Sequence, residues 1–158
     1  MDLQMLLDER EIKRGLSRFS RILDIKSYDD VAQVFADDVA FNYGIGGEQV
    51  GLLKLRALFQ QFLDHCGPTQ HLIGSILVDI DGDTAVSRSY VQARHQRDDD
   101  PMGPVLDTNG EYIDQWERRS EGWRIVRRDS VWTVFTGDAT ILENLGGTIL
   151  TKESVGEM

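Results

Sequence analysis

Three histidines and one aspartate are the residues of this chain whose types and placement suit proton transfer. His65, His71 and His95 are its three imidazoles, and the imidazole charge changes near neutral pH, so each is a candidate general acid or base. His65 falls near the end of a helical stretch, where a protonated ring favours the negative helix end, and a surface or capping role is expected of it. His71 opens one long β-rich run and His95 lies in the next. Asp24 follows Leu23 at the end of an earlier apolar stripe, where a carboxylate can reach a pocket rim and orient a histidine. Spacing alone does not decide for catalysis, since aspartates near helix ends commonly cap or face solvent and lone strand histidines are commonly structural. Asp98, Asp99 and Asp100 place three carboxylates in a row. Sequence neighbours point different ways and no EF-hand spacing follows, so a mobile connection is expected there and no metal site.

The elements that must hold these residues change period along the chain. Ile12, Leu16, Phe19 and Leu23 form a helical stripe within Leu3 to Ile25. Ser27 is placed to N-cap a second short helix with Val31, Val34 and Phe35 turned inward, and Val39 to Tyr43 reads as a strand. After Gly44, Gly46 and Gly47, Leu52 to Cys66 resumes the helical period, and Gly67 and Pro68 are expected to end it. Four β-rich runs follow: Thr69 to Ile80, Thr84 to Arg97, Glu111 to Arg119 and Trp123 to Phe135. Asp81-Gly82-Asp83 and Ser120-Glu121-Gly122 suit tight hairpins. An α+β fold with a meandering antiparallel sheet is expected, its concave side closed by three N-terminal helices.

Alternation sorts the strand residues into faces. Ala85, Ser87, Ser89, Val91, Ala93 and His95 share one face, whose small side chains leave room for a cavity. Arg88, Tyr90 and Arg94 share the other, which suits solvent or a subunit contact. In the third run Asp114 goes with Tyr112 and Trp116; in the fourth Arg128 goes with Val126, Ser130 and Trp132. The outer face and an apolar tail carrying Ile141, Leu142, Leu145, Ile149 and Leu150 point to a homodimer or homotrimer.

Composition narrows the partners. A chain of 158 residues, 41% hydrophobic and 28% charged, suits one ordinary domain with a real core. The net charge of -10, with no offsetting basic run, disfavours nucleic acid and anionic membranes. Cys66 is the single cysteine, so no intrachain disulfide forms and a cytoplasmic location is the default expectation. Met1 to Arg10 lacks the basic start and apolar run of a signal peptide, and no apolar stretch approaches the ~20 residues of a membrane span.

The order of Leu23-Asp24, Asn42-Tyr43, Thr69-Gln70-His71, Asp114-Gln115-Trp116-Glu117-Arg118-Arg119 and Gly122-Trp123-Arg124-Ile125 resembles the SnoaL-like family of the nuclear-transport-factor-2 superfamily. Within it the chain is most similar to the scytalone dehydratase, lindane dehydrochlorinase and bile-acid 7α-dehydratase type. The likeness covers roughly residues 5 to 136, so residues 1–136 are read as the domain and 137–158 as a tail packed on it or on a neighbouring subunit. The motifs are short, so they speak to the fold more than to the reaction.

The resemblance implies a cone-shaped fold and a cofactor-independent lyase, of dehydratase type, acting on a small hydrophobic, aromatic or polycyclic compound. It makes His71 the base and Asp24 its orienting partner. It places Tyr43, His95, Asp114 and Arg128 at substrate-binding positions, and the faces above add Phe19, Val91, Tyr112 and Trp132. Isomerisation or polyketide-type cyclisation would start from the same abstracted proton, and a non-catalytic binding or assembly subunit is the reading from another class. The chain also departs from its relatives. Phe19 stands where they place a lysine or tyrosine that assists the leaving group, and Leu23 replaces a tyrosine before the aspartate. Any such assistance must come from Tyr43, His95 or Arg128.

Overall fold

The helical stripe of the amino-terminal segment buries itself first. In the computed structural model, which describes residues 3–145, helix α1 spans Leu3–Asp24 and buries Ile12, Leu16, Phe19 and Leu23. Its end is a Schellman arrangement: the Ser27 N–H donates to the Ile22 carbonyl and the Lys26 N–H to that of Leu23. Lys26 occupies the left-handed position with φ 58°, where glycine is usual, and its Nζ donates to the Cys66 carbonyl. Asp24 is thereby fixed in the last helical turn, beside the strand that starts at Cys66.

A short 3-10 helix, Tyr28–Gln33, follows. Ser27 does not cap it; its hydroxyl bonds the Asp30 carboxylate instead. Val31, Val34 and Phe35 are all buried, but only Val31 lies in this helix: Val34 follows its end and Phe35 opens the first strand. The remaining elements are β1 (Phe35–Asn42), β2 (Gln49–Val50), α2 (Leu52–Leu63), β3 (Cys66–Asp81), β4 (Thr84–Arg97), β5 (Val105–Arg119), β6 (Gly122–Gly137) and a final 3-10 helix, Ala139–Leu145. Gly67 and Pro68 therefore do not separate helix from strand; they belong to β3. An edge strand tolerates proline because one row of its amides has no ladder partner.

The six strands form one curved, unclosed sheet in the order β2-β1-β6-β5-β4-β3. The last four strands are the expected antiparallel meander. The sheet as a whole is mixed, because β1 pairs parallel to β6. After the β1–β2 hairpin, α2 carries the chain to the far edge, and three further hairpins return β6 running in the direction of β1. The β3–β4 reversal falls at Gly82, φ 60°, and the β5–β6 reversal ends at Gly122, φ 105°.

One sheet face is covered by α1, α2 and the intervening 3-10 helix. Along β4 every residue of the small face from Ala85 to His95 is buried, while Arg88, Tyr90 and Arg94 are exposed. Arg88 and Arg94 pair across the outer face with Glu111 and Asp107. Along β6 plain alternation fails: Ile125 and Arg128, three apart, are both fully buried. A register shift between Gln115 and Trp116 inserts an extra residue there, so Val126 does not share the Arg128 face as expected. Ile141 of the tail packs on Cys66 and Leu106. The side chain of Leu145, and all of Ile149 and Leu150, lie outside the described residues. Among the described residues no helix is long and apolar enough to cross a membrane.

Candidate active site

The end of α1 and the start of β3 bring Asp24 and His71 together. Asp24 Oδ1 lies 2.7 Å from His71 Nδ1. The same carboxylate accepts the His71 backbone N–H at 3.1 Å and the Thr69 hydroxyl at 3.0 Å. β3 is the sheet edge, so amides unused by the β4 ladder are available, and Asp24 takes one. Partial burial pushes the Asp24 carboxyl up, but the hydrogen bonds and charge of His71, with Thr69, outweigh it and hold the group below the usual carboxylate range. An ionised carboxylate can only accept, so Nδ1 carries the proton and Nε2 is left as the proton acceptor of His71.

His71 lines a mostly apolar cavity between the sheet and α2. Cross-strand register explains its wall, because His71, Ala93, Thr108 and Phe135 are successive partners across β3, β4, β5 and β6. All four line it. Leu58, Phe59 and Phe62 of α2 form the opposite side, with Leu23 of α1 beside them. Tyr43, Tyr112, Trp132 and His95 complete the sheet side. Trp132 Nε1 donates to the Tyr43 carbonyl at 3.0 Å, tying two of these walls together.

The polar groups of the cavity have fixed hydrogen-bonding characters. His95 is nearly buried, and its Nδ1 lies 3.1 Å from the Leu106 carbonyl oxygen. A carbonyl cannot donate, so Nδ1 holds the proton and Nε2 is unprotonated. Burial, aided by the neighbouring His71, pushes the His95 imidazole down to about 4, keeping it neutral at ordinary pH. The two rings meet edge to face with centroids 5.7 Å apart. Tyr43 has its phenol pushed up to about 12 by burial, against the pull of Arg128, so it stays protonated.

The other expected binding residues sit deeper. Arg128 and Asp114, both fully buried, form a two-pronged ion pair with contacts of 2.7 and 2.8 Å. The guanidinium faces the rings of Phe19 at 4.3 Å and Tyr112 at 4.0 Å. Burial opposes the charge, but Asp114 more than restores it, and Arg128 stays charged. Asp114, Arg128, Phe19 and Val91 do not line the cavity; they belong to the core beneath it. Arg128 still reaches towards the site, with Nη1 3.4 Å from the Tyr43 hydroxyl oxygen. The Phe19 ring is committed to cation–π packing on the Arg128 guanidinium.

Several lining residues were not singled out by the sequence. Phe59 and Phe62 read as ordinary core positions of α2, since periodicity cannot tell a core face from a cavity wall. Thr108 escaped because the β5 run was expected to start at Glu111. The alternation of buried Leu106, Thr108, Tyr112 and Asp114 would have extended it.

A family model for the SnoaL-like domain matches residues 4–129. The uncharacterized protein Rv2910c of Mycobacterium tuberculosis is 31% identical over 129 residues, covering 77% of this chain and 82% of that protein. Among solved structures, a candidate scytalone dehydratase from Novosphingobium aromaticivorans superposes with a TM-score of 0.75 at 23% identity, covering 83% of this chain and 87% of that one. The hexachlorocyclohexane dehydrochlorinase LinA-type3 from Novosphingobium barchaimii gives 0.76 at 16% identity, over 88% and 95%. At these identities the structural likenesses establish a shared fold.

Proposed function

The chain belongs to the SnoaL-like domain family, and from that premise we propose that it is a cofactor-independent lyase that eliminates water or a similar small group from a hydrophobic ring compound. The observation that carries this reading is the 2.7 Å contact between Asp24 and His71 at the wall of an apolar cavity. His71 Nε2 takes a proton from carbon, and the C–H electron pair becomes the new double bond as the neighbouring C–O bond breaks. Asp24 stabilises the imidazolium, as a carboxylate does beside a catalytic histidine elsewhere. Tyr43, protonated and held by Arg128, is the donor available to the departing oxygen. The proton held by His71 then passes through solvent to the Tyr43 phenolate, so that water and the alkene are the only products and both residues are reset. The solved relatives named as a dehydratase and a dehydrochlorinase support an elimination.

Phe19 and Leu23 favour a second reading. With no donor at those positions, the same base serves isomerisation or cyclisation, in which no group has to leave. Both readings are tested by one screen: hydroxylated and halogenated alicyclic and aromatic compounds are incubated with the protein and followed by mass spectrometry. Loss of water or hydrogen halide supports elimination, and a rearranged product of unchanged mass supports isomerisation. Turnover that persists in His71→Ala refutes both.

A further inference from the structure

The cavity has an unusual balance of donors and acceptors. Each imidazole spends its Nδ1 on the protein, His71 on Asp24 and His95 on Leu106. Among the described residues neither Nε2 has a hydrogen-bond partner, and neither belongs to the buried polar atoms sealed from solvent. Both rings line the cavity. One acceptor is needed for the proton taken from carbon. The other, on His95, is left over and open to the cavity, where a ligand that brings a hydrogen-bond donor can use it. Among the described residues no lysine, arginine, aspartate or glutamate lines the cavity, and Arg128 beneath it is paired with Asp114.

We propose that His95 is the specificity-determining residue of this cavity, accepting a hydrogen bond from a hydroxyl of an uncharged substrate, so that the site selects ring alcohols and phenols over ring ethers, halides and carboxylates. The selection follows from the tautomer. With Nδ1–H held by Leu106, His95 cannot donate to an ether or carbonyl oxygen, and a halogen gives it nothing to accept. A hydroxyl satisfies it. A carboxylate would enter an apolar space without a fixed positive partner and lose its hydration. The burial that keeps His95 neutral supports the assignment. The inference deepens the lyase reading by naming the substrate class, and separates a dehydratase from a dehydrohalogenase acting in the same fold.

The test is ligand binding to the full chain, followed by NMR at neutral pH, with phenol, anisole, chlorobenzene and benzoate as probes. Phenol is expected to bind about tenfold more tightly than anisole or chlorobenzene, the worth of one good hydrogen bond, and benzoate not at all. In His95→Phe the preference for phenol should collapse. Should that variant not fold, the nitrogen resonance of His95 Nε2 in the unaltered protein decides: phenol should move it and anisole should not. Equal binding of phenol and anisole, a preference that survives in His95→Phe, or no binding by any probe overturns the proposal. None of these readouts needs turnover. A parent protein that shows no selectivity while its turnover depends on His71 would sink this inference alone, whereas selectivity in the parent with turnover independent of His71 would sink the lyase reading alone.

Discussion

Two carboxylates on the covered side of the sheet, Asp114 fully buried and Asp24 partly so, differ in the partner each is given. Asp114 faces Arg128, a group that never releases its proton, with both side chains fully buried and aromatic rings packed on the guanidinium. Asp24 faces His71, a group that can gain and lose a proton, at the wall of a cavity. The first pair is a closed electrostatic circuit. The second is open at Nε2. Burying an ion pair brings little net stability by itself, so the pair that cannot exchange protons reads as architecture and the pair that can reads as chemistry. Tyr43 is where they touch, since Arg128 reaches its hydroxyl from below while the same residue lines the cavity above.

The sharpest way to break this contrast is to remove the open pair. His71→Ala should lower kcat by about 10²–10⁴-fold on any substrate the screen identifies, while leaving urea unfolding within about a kcal/mol of the parent, because Asp24 keeps its bonds to Thr69 and to the backbone of residue 71. Asp24→Asn should cost almost as much activity, since the imidazolium loses its counter-charge and the ring its enforced tautomer. A large loss of stability in either variant would mean that this pair too is architecture.

The closed pair should respond in the opposite currency. Arg128→Met leaves Asp114 buried without a partner, and a loss of about 3–5 kcal/mol in unfolding free energy is expected. Adding Asp114→Leu should restore much of it, because the stranded charge goes with the second substitution. If the single variant unfolds no more easily than the parent, Asp114 has found another partner and the architectural reading fails.

How far the contrast was legible in sequence follows from its physics. The β4 alternation from Ala85 to His95 announced the covered face, since period 2 is local and a half-buried strand must obey it. The Asp24–His71 contact spans 47 positions and came only through the family resemblance; no local rule links a helix end to an edge strand. Arg128 was placed on the correct face with the wrong neighbour. Val126 takes up the β6 bulge, and a bulge is set by the partner strand rather than by the residues that make it. The parallel pairing of β1 with β6 was invisible for a related reason, because it depends on how many reversals intervene. The place of β3 at a sheet edge also hid its true start, where Pro68 read as a stop.

His95 sharpens the comparison as a buried titratable group with no carboxylate partner at all. Its native value near 4 lies below the ordinary 6.5, so between those pH values the unfolded chain binds a proton that the native one refuses. Stability must then fall as pH drops from about 6.5 to about 4, by about 3 kcal/mol in all, and the loss levels off below that window as far as this residue is concerned. Carboxylates whose native values are lowered, such as Asp24, lose their contribution only at still lower pH. Urea titrations across the window should show the slope in the parent and its disappearance in His95→Phe. A parent whose stability is flat from 6.5 to 4 would mean that the ring is solvated enough to titrate normally.

The smallest effect concerns how Asp24 is delivered. Lys26 sits in the left-handed region at φ 58°, which costs a side-chain-bearing residue about 1 kcal/mol relative to glycine, and its Nζ recovers something by bonding the Cys66 carbonyl. Lys26→Ala keeps the backbone cost and loses the bond, whereas Lys26→Gly loses both. The alanine variant should therefore melt below the parent and the glycine variant close to it, with the two separated by about 1 kcal/mol in unfolding free energy. If the Schellman bonds from Ser27 and Lys26 to Ile22 and Leu23 are what fix the last turn of α1, both variants hold Asp24 against His71 and keep kcat near that of the parent. A glycine variant that melts with the alanine one would show that the Cys66 contact, not the backbone, sets the cost, and a fall in kcat in either would show that the lysine tether itself positions the carboxylate.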